Sequence, residues 1–458
     1  MNEPHIVIIG CGAGGGTAAQ FARKTNRKTP ITIFEQTVYA QYSRCGLPYV
    51  IAGAIPSTEH LLEYSKEWFE KEHITVHLQT TVQTIDIRTK IITAEQQGQT
   101  IKQPFDTLIL ATGSHPVLPP IQGIPKDGPL PQNVFVLRSI DDAKKIQSTL
   151  ATAKRACIVG AGFIGLELAE ALVEKGLTVT VVEALPHILA NSLDADLCEH
   201  VATTFPPTVT LIPNHFVTKI TGSPHLNVTI KDRATNQDKS FDTDLVVLAT
   251  GTKPEVRLAH SIGCTIGPTG GIVVNSRAET TVPGVYAVGD CTEYKDFVTG
   301  QSVCIGLGTI AVRQGITAGT NAAGGSYEMP PGVLLSRTST FFGTQIAAVG
   351  PLLTHEYTTP VIQGKVTGSS LPTYFPGGQP ITVKVIVEEA SGRIIAAQAV
   401  GSNASQRVNV YACAILQGAT VDSLQKLETT YAPPIAPTLD VVTLACDVVQ
   451  LKRSRKKR

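Results

Sequence analysis

A chain of 458 residues is too long for one ordinary hydrophobic core, so two to four domains are expected. Charged residues make up 16% and the formal net charge is +1, which leaves no electrostatic ground for a nucleic-acid or membrane-surface partner. With 40 glycines, 29 prolines and 42% hydrophobic residues, the composition is that of a compact, turn-rich enzyme and not of a fibrous or disordered chain.

The opening Met1-Asn2-Glu3-Pro4 carries no leader pattern, and nowhere do about eighteen apolar residues run on uninterrupted, so a cytoplasmic location is expected. The nine cysteines form no Cys-x-x-Cys pair and no metal-ligand spacing, so neither structural disulfides nor a metal are expected.

His5 to Ile9 reads as a short buried parallel strand, being continuous and β-branched. It runs into Gly10-Cys11-Gly12-Ala13-Gly14-Gly15, a G-x-G-x-x-G turn, and then into a small-residue helix. The glycines serve a tight turn, close approach of a pyrophosphate to backbone, and close packing of helix on strand. The next strand ends in Glu35, about 20 residues on, where this fingerprint places an acid for a ribose diol. Then comes Tyr42-Ser43-Arg44-Cys45-Gly46-Leu47-Pro48. A thiol reacts as thiolate, and the Arg44 guanidinium beside Cys45 is expected to favour that form. The alternative is the ordinary one for a free cysteine, a small buried hydrophobe.

The stretch 59–73 reads as one helix with Leu61, Leu62, Tyr64, Trp68 and Phe69 on an apolar face. A buried strand from Thr107 ends in Ala111-Thr112-Gly113, and the segment 116–131 reads as an interdomain connection. The pattern then repeats: a strand, Gly160-Ala161-Gly162-Phe163-Ile164-Gly165, a helix, and a strand ending in Glu183. No arginine or lysine follows Glu183 in Ala184-Leu185-Pro186-His187, which argues for NADH over NADPH. A second Ala-Thr-Gly strand ends at Gly251, and a Tyr-Ala-Val-Gly strand delivers Asp290. From about residue 330 the texture becomes α+β, with a helix near 407–416. The basic residues 452–458 read as a frayed, solvated tail.

Two G-x-G-x-x-G turns, two Ala-Thr-Gly strands and the Asp290 strand together resemble the FAD-dependent pyridine nucleotide-disulfide oxidoreductases, over nearly the whole chain. The resemblance implies an α/β protein with two Rossmann-like dinucleotide-binding domains and a C-terminal α+β dimerisation domain. It divides the chain into an FAD-binding domain at 1–120 and 243–328, an NAD(P)H-binding domain at 121–242, a dimerisation domain at 329–450 and a basic tail at 451–458. FAD would be held at Gly10, Gly12, Ala13, Gly14, Gly15, Glu35, Thr112, Gly113 and Asp290. The pyridine nucleotide would lie at Gly160, Gly162, Ile164, Gly165, Glu183 and Gly251.

With one cysteine where most members carry Cys-x4-Cys, the chain is similar to the single-cysteine branch: coenzyme A-disulfide reductases, CoA-persulfide or polysulfide reductases, NADH oxidases and peroxidases. Ala13 stands where peroxidases and water-forming oxidases keep a histidine, which favours the sulfur-reducing groups. The resemblance makes Cys45 the redox centre and gives Tyr374 and Tyr431, from the other subunit of a homodimer, the task of protonating a departing thiolate, for which a phenol is suited. Gln20, Arg23, Ser43 and Arg44 fall at substrate-binding positions, and Glu72 replaces a CoA-binding lysine found in a relative. The expected acceptor is a CoA disulfide, CoA persulfide or polysulfide. The rival readings are an NADH oxidase reducing oxygen and a low-turnover redox-sensing flavoprotein.

Overall fold

Strand Ile6–Ile9 is buried at every position, as β-branched residues in a parallel sheet covered on both faces must be. It is the centre of a five-stranded sheet in the order Val285–Ala287, Thr107–Leu110, Ile6–Ile9, Ile31–Phe34, Thr75–His77. Every pairing in it is parallel. The structure is a computed structural model describing residues 4–304 and 306–456.

A second sheet repeats the first strand for strand: Val134–Phe135, Leu245–Leu248, Arg155–Val159, Thr178–Val182, Val209–Ile212, again all parallel. Each unit also inserts a three-stranded antiparallel meander just before the strand that returns beside the centre, within 80–104 in one and 215–243 in the other. The duplication seen in the glycine turns therefore extends through the whole unit. The two units are clasped where their Ala-Thr-Gly motifs end. Ser114–Pro116 pairs antiparallel with Thr252–Pro254. Thr112 Oγ1 donates to the Glu255 carbonyl at 2.6 Å, and Thr250 Oγ1 to the Val117 carbonyl at 2.7 Å.

The third unit is the expected α+β layer. Its antiparallel sheet runs Arg337–Phe341, Thr344–Val349, Ile394–Gly401, Pro380–Glu388, Val361–Ser369. Helices Ala404–Leu416 and Val441–Lys456 pack on it, and the fully buried Tyr411 donates its hydroxyl to the Val442 carbonyl at 2.7 Å. Lys384, 3% exposed, reaches out of this sheet to Asp194 at 3.0 Å and to Asp196, at the start of a helix in the second unit.

Two expectations are corrected. The stretch 59–73 is not one helix but a 3-10 turn Thr58–Leu61, a strand Leu62–Tyr64 and a helix Lys66–Lys71. Leu61 is drawn into the core with Tyr42 and Leu47, Tyr64 pairs with Gln41, and Ser65 caps the new helix by accepting from the Trp68 amide. The basic tail does not fray at 452: the last helix continues to Lys456. Arg453 is buried, donating to the carbonyls of Glu389 and Ala390 at 2.9 Å each, and Lys456 reaches the Glu389 carboxylate at 2.8 Å. Lys457 and Arg458 lie outside the described residues.

Candidate active site

At Gly15 the first glycine turn is closed by contacts that leave no room for a side chain. A Cβ on Gly15 would stand 1.9 Å from the Gly10 carbonyl oxygen, so the helix seats directly on the strand. Glu35, buried at the end of its strand, braces the turn. One carboxylate oxygen accepts the Cys11 amide at 2.8 Å and the other the Thr37 amide at 2.9 Å. Beyond the turn opens a cavity of about 390 Å³ lined by Gly12, Ala13, Gly14, Ser43, Arg44, Cys45, Gly113, Arg138 and Asp290, among others. At Gly12 an added Cβ would meet only Arg44 Nη1, at 3.7 Å, so this glycine keeps the cavity floor open. Backbone amides of a helix start and two guanidinium groups around such a space suit the pyrophosphate of FAD.

Cys45 sits in a 3-10 turn, Arg44–Gly46, that leads into helix Leu47–Ala52, whose Leu47, Val50 and Ile51 are buried anchors. Its thiol is exposed, and the exposure is onto the cavity. Burial of its surroundings pushes the thiol pKa up, the Glu167 and Asp290 charges add to this, and Arg138 opposes it. The expected pairing of Arg44 with the thiolate is therefore corrected. Arg44 turns toward Gly12 and Gly113 and lies over the Tyr42 ring at 5.6 Å; the cation that favours the Cys45 thiolate is Arg138.

Arg138 escaped the sequence reading. Its Nη2 donates to Asp290 Oδ2 and Ser114 Oγ, both at 2.8 Å, which fixes the aspartate at the cavity wall. The residue precedes a capped helix, Ile140–Thr149, with no nucleotide signature around it, so only the fold brings it here. Gln314 escaped too: fully buried, it accepts the Gly289 amide at 2.7 Å and holds the turn that presents Asp290. Thr112, by contrast, spends its hydroxyl on Glu255 and not on the cavity.

The second glycine turn is built as the first. Glu183 accepts the Ala161 amide at 2.6 Å and the Leu185 amide at 2.8 Å, the same two bonds that Glu35 makes. A Cβ on Gly165 would lie 2.1 Å from the Gly160 carbonyl oxygen, whereas Gly162 and Gly251 face open space and Ile164 is exposed. That open cradle fits a second dinucleotide. On the helix that follows, Glu167 accepts from Ser339 Oγ at 2.7 Å and Glu170 from the Phe342 amide at 2.9 Å, both donors belonging to the third unit. Burial raises the pKa of each carboxyl.

The expected substrate residues divide. Ser43 and Arg44 line the cavity, and Gln20 is half-buried with its amide on Gln41 Oε1 at 3.2 Å. Arg23 is corrected: its guanidinium is buried and donates to the carbonyls of Glu72, Asn26, Arg27 and His73, so it anchors a helix end and has no face for a ligand. Tyr374 and Tyr431 do come together, hydroxyl to hydroxyl at 2.5 Å, on the surface of the third unit, with 68% and 46% of their surfaces exposed. The bond to Tyr431 raises the Tyr374 pKa.

Duplicate dinucleotide units, a glycine-floored cavity and a thiol opening onto it define a flavoprotein oxidoreductase that takes electrons from a pyridine nucleotide. The family model described as pyridine nucleotide-disulphide oxidoreductase matches residues 4–315, and the dimerisation domain of the same family matches residues 337–442. The chain belongs to this family, whose cofactors are FAD and NAD(P)H. An NADH oxidase of Methanocaldococcus jannaschii is 34% identical, over 99% of this chain and 100% of its own. A CoA-dependent NAD(P)H sulfur oxidoreductase of Pyrococcus abyssi is 31% identical, over 97% of this chain and 98% of its own. Among solved structures, an NAD-dependent persulfide reductase from A. fulgidus superposes with a TM-score of 0.92 at 32% identity, over 98% of this chain and 84% of that one. Among the described residues no helix is long and apolar enough to cross a membrane.

Proposed function

We propose that this flavoprotein reduces a sulfur–sulfur bond in CoA disulfide, CoA persulfide or polysulfide through the single redox cysteine Cys45. The observation that carries the reading is the Cys45 thiol opening onto the FAD cavity, beside Asp290 and Arg138. The names of the Pyrococcus relative and the A. fulgidus structure support the acceptor class. When bound, FAD supplies a two-electron relay between nicotinamide and sulfur. The protein holds the dinucleotides on its two glycine turns and keeps Cys45 as the only thiol among the residues lining the FAD cavity.

As thiolate, Cys45 attacks one sulfur of RS–SR′. A Cys45–SR bond forms, the S–S bond breaks, and R′S⁻ leaves and takes a proton. Two electrons from the pyridine nucleotide then cleave Cys45–SR, releasing RS⁻ and restoring the thiolate. Arg138 stabilises the anionic sulfur at both stages, being the cation that lowers the Cys45 pKa. In a homodimer, the exposed Tyr374–Tyr431 pair would be offered to the other subunit's Cys45. The first phenol donates to the leaving thiolate while the second holds it in place.

Cys45→Ser tests this. Turnover with CoA disulfide or polysulfide falls roughly a thousandfold or more, while NADH still reduces the flavin in stopped-flow. Undiminished disulfide reduction in that variant ends the proposal. The name of the Methanocaldococcus relative favours a second reading, an NADH oxidase. That reading requires rapid oxygen consumption with no sulfur acceptor present, and Ala13 in the first turn leaves no histidine there to assist it.

A further inference from the structure

The residues directly after Glu183, Ala184 to His187, include no arginine or lysine, yet the fold supplies an arginine from elsewhere. Arg233 lies in the turn between strands Leu226–Asp232 and Asp238–Thr243 of the second unit's meander. Its Nη1 donates to the Ala184 carbonyl at 2.8 Å, from 49 residues away in sequence. The placement is built. Asp232 Oδ1 accepts the amides of Ala234 and Thr235 at 2.7 and 3.0 Å, which holds the turn. The Arg233 amide donates to the Asn214 carbonyl, the Asn214 amide to Leu185, and the His215 amide to Glu183. The guanidinium lies over the Phe216 ring at 5.0 Å, which fixes its plane. The side chain is otherwise exposed, and one of its five N–H donors is spent on Ala184.

In a dinucleotide fold the acid at the end of the second strand meets the ribose diol, and a 2′-phosphate lies beside the residues that follow it, where an arginine accommodates it. Glu183 is held inward by two amides and keeps lone pairs for the diol. A fixed, solvent-facing guanidinium stands beside the next residue. We infer that Arg233 is a specificity-determining residue of the pyridine-nucleotide site. It binds the 2′-phosphate of NADPH, so the enzyme accepts NADPH as well as the NADH that Glu183 selects. The inference rests on the family's coenzyme chemistry and is independent of which sulfur compound is the acceptor.

The test uses the FAD-loaded enzyme and its Arg233→Ala variant. Two ratios are measured: kcat/KM for NADPH over that for NADH, and, by calorimetry, the affinity for 2′,5′-ADP over that for 5′-AMP. Loss of one charge-assisted contact to phosphate lowers both ratios about tenfold. A fall of less than threefold in either ratio, or a rise, overturns the assignment. The calorimetric arm needs no turnover, so it reads the site even if the sulfur acceptor is misassigned.

Discussion

Cys45 differs from the buried thiols of the chain in what it faces. Cys157 and Cys446 are buried in cores, and burial above all pushes each thiol up to about 12. The Cys45 pKa is raised as well, but the side chain opens onto the cavity, so reagent and substrate can reach it. A raised pKa keeps the neutral thiol to higher pH, so alkylation of reduced Cys45 should accelerate as pH climbs above the ordinary thiol range. The Glu167 carboxylate is the largest charge holding that pKa up. Glu167→Gln removes it and shifts the rate–pH curve to lower pH, read by iodoacetamide labelling and peptide mapping. A curve that stays in place would show that the Glu167 charge does not act on the sulfur. Cys45, Glu35 and Asp290 were legible because each sits inside a local signature. The roles of Arg138 and Arg23 were not, since Arg138 meets Asp290 across 152 residues and Arg23 is consumed by carbonyls 49 and 50 residues on.

The two glycine turns show at the level of elements how one motif separates packing from binding. Gly162 has extended backbone, φ −81° and ψ −174°, and open space around its missing Cβ. Gly162→Ala should fold as the parent does, with Tm within about 2 °C. The added methyl stands in the nucleotide cradle and raises KM for NADH about tenfold. Gly15→Ala should fail differently, because its Cβ would collide with the Gly10 backbone and the protein would be recovered without flavin. Equal loss of stability in both variants would contradict this division, checked by thermal unfolding and flavin content. The duplicated unit could be read from the sequence because strand, turn, helix and acid recur at matched spacing. The stretch 59–73 misled because its apolar residues match a helical period by chance. Ser65, a cap in the middle of that period, was the signal against a single helix.

At the scale of the whole molecule, the second unit is fastened to the third by charge. Lys384 is almost fully buried between Asp194 and Asp196, and Asp194 also accepts the Leu353 amide at 2.8 Å. Arg337 adds a clasp, donating to the Ser192 carbonyl at 2.8 and 3.1 Å. Lys384→Met leaves a buried Asp194 without its cation, a loss of about 3–5 kcal/mol. The expected result is a lower Tm and faster proteolysis between the second and third units. Burial works against the charged form of Asp196, but Lys365 and Lys384 outweigh it and hold its pKa below the ordinary value. The stability this gives is present above the ordinary carboxylate pKa and is lost as pH falls through the lowered one, so the gap in Tm between parent and Lys384→Met should narrow in strong acid. Persistence of the full gap there would contradict the assignment.

On the proposed function, Cys45 is the sulfur through which electrons leave the protein. Mass spectrometry of the FAD-loaded enzyme after incubation with CoA disulfide addresses this most directly. The predicted result is one CoA adduct, on the peptide carrying Cys45, that disappears when NADH is added anaerobically. An adduct on another cysteine, or one on Cys45 that NADH leaves untouched, would contradict it.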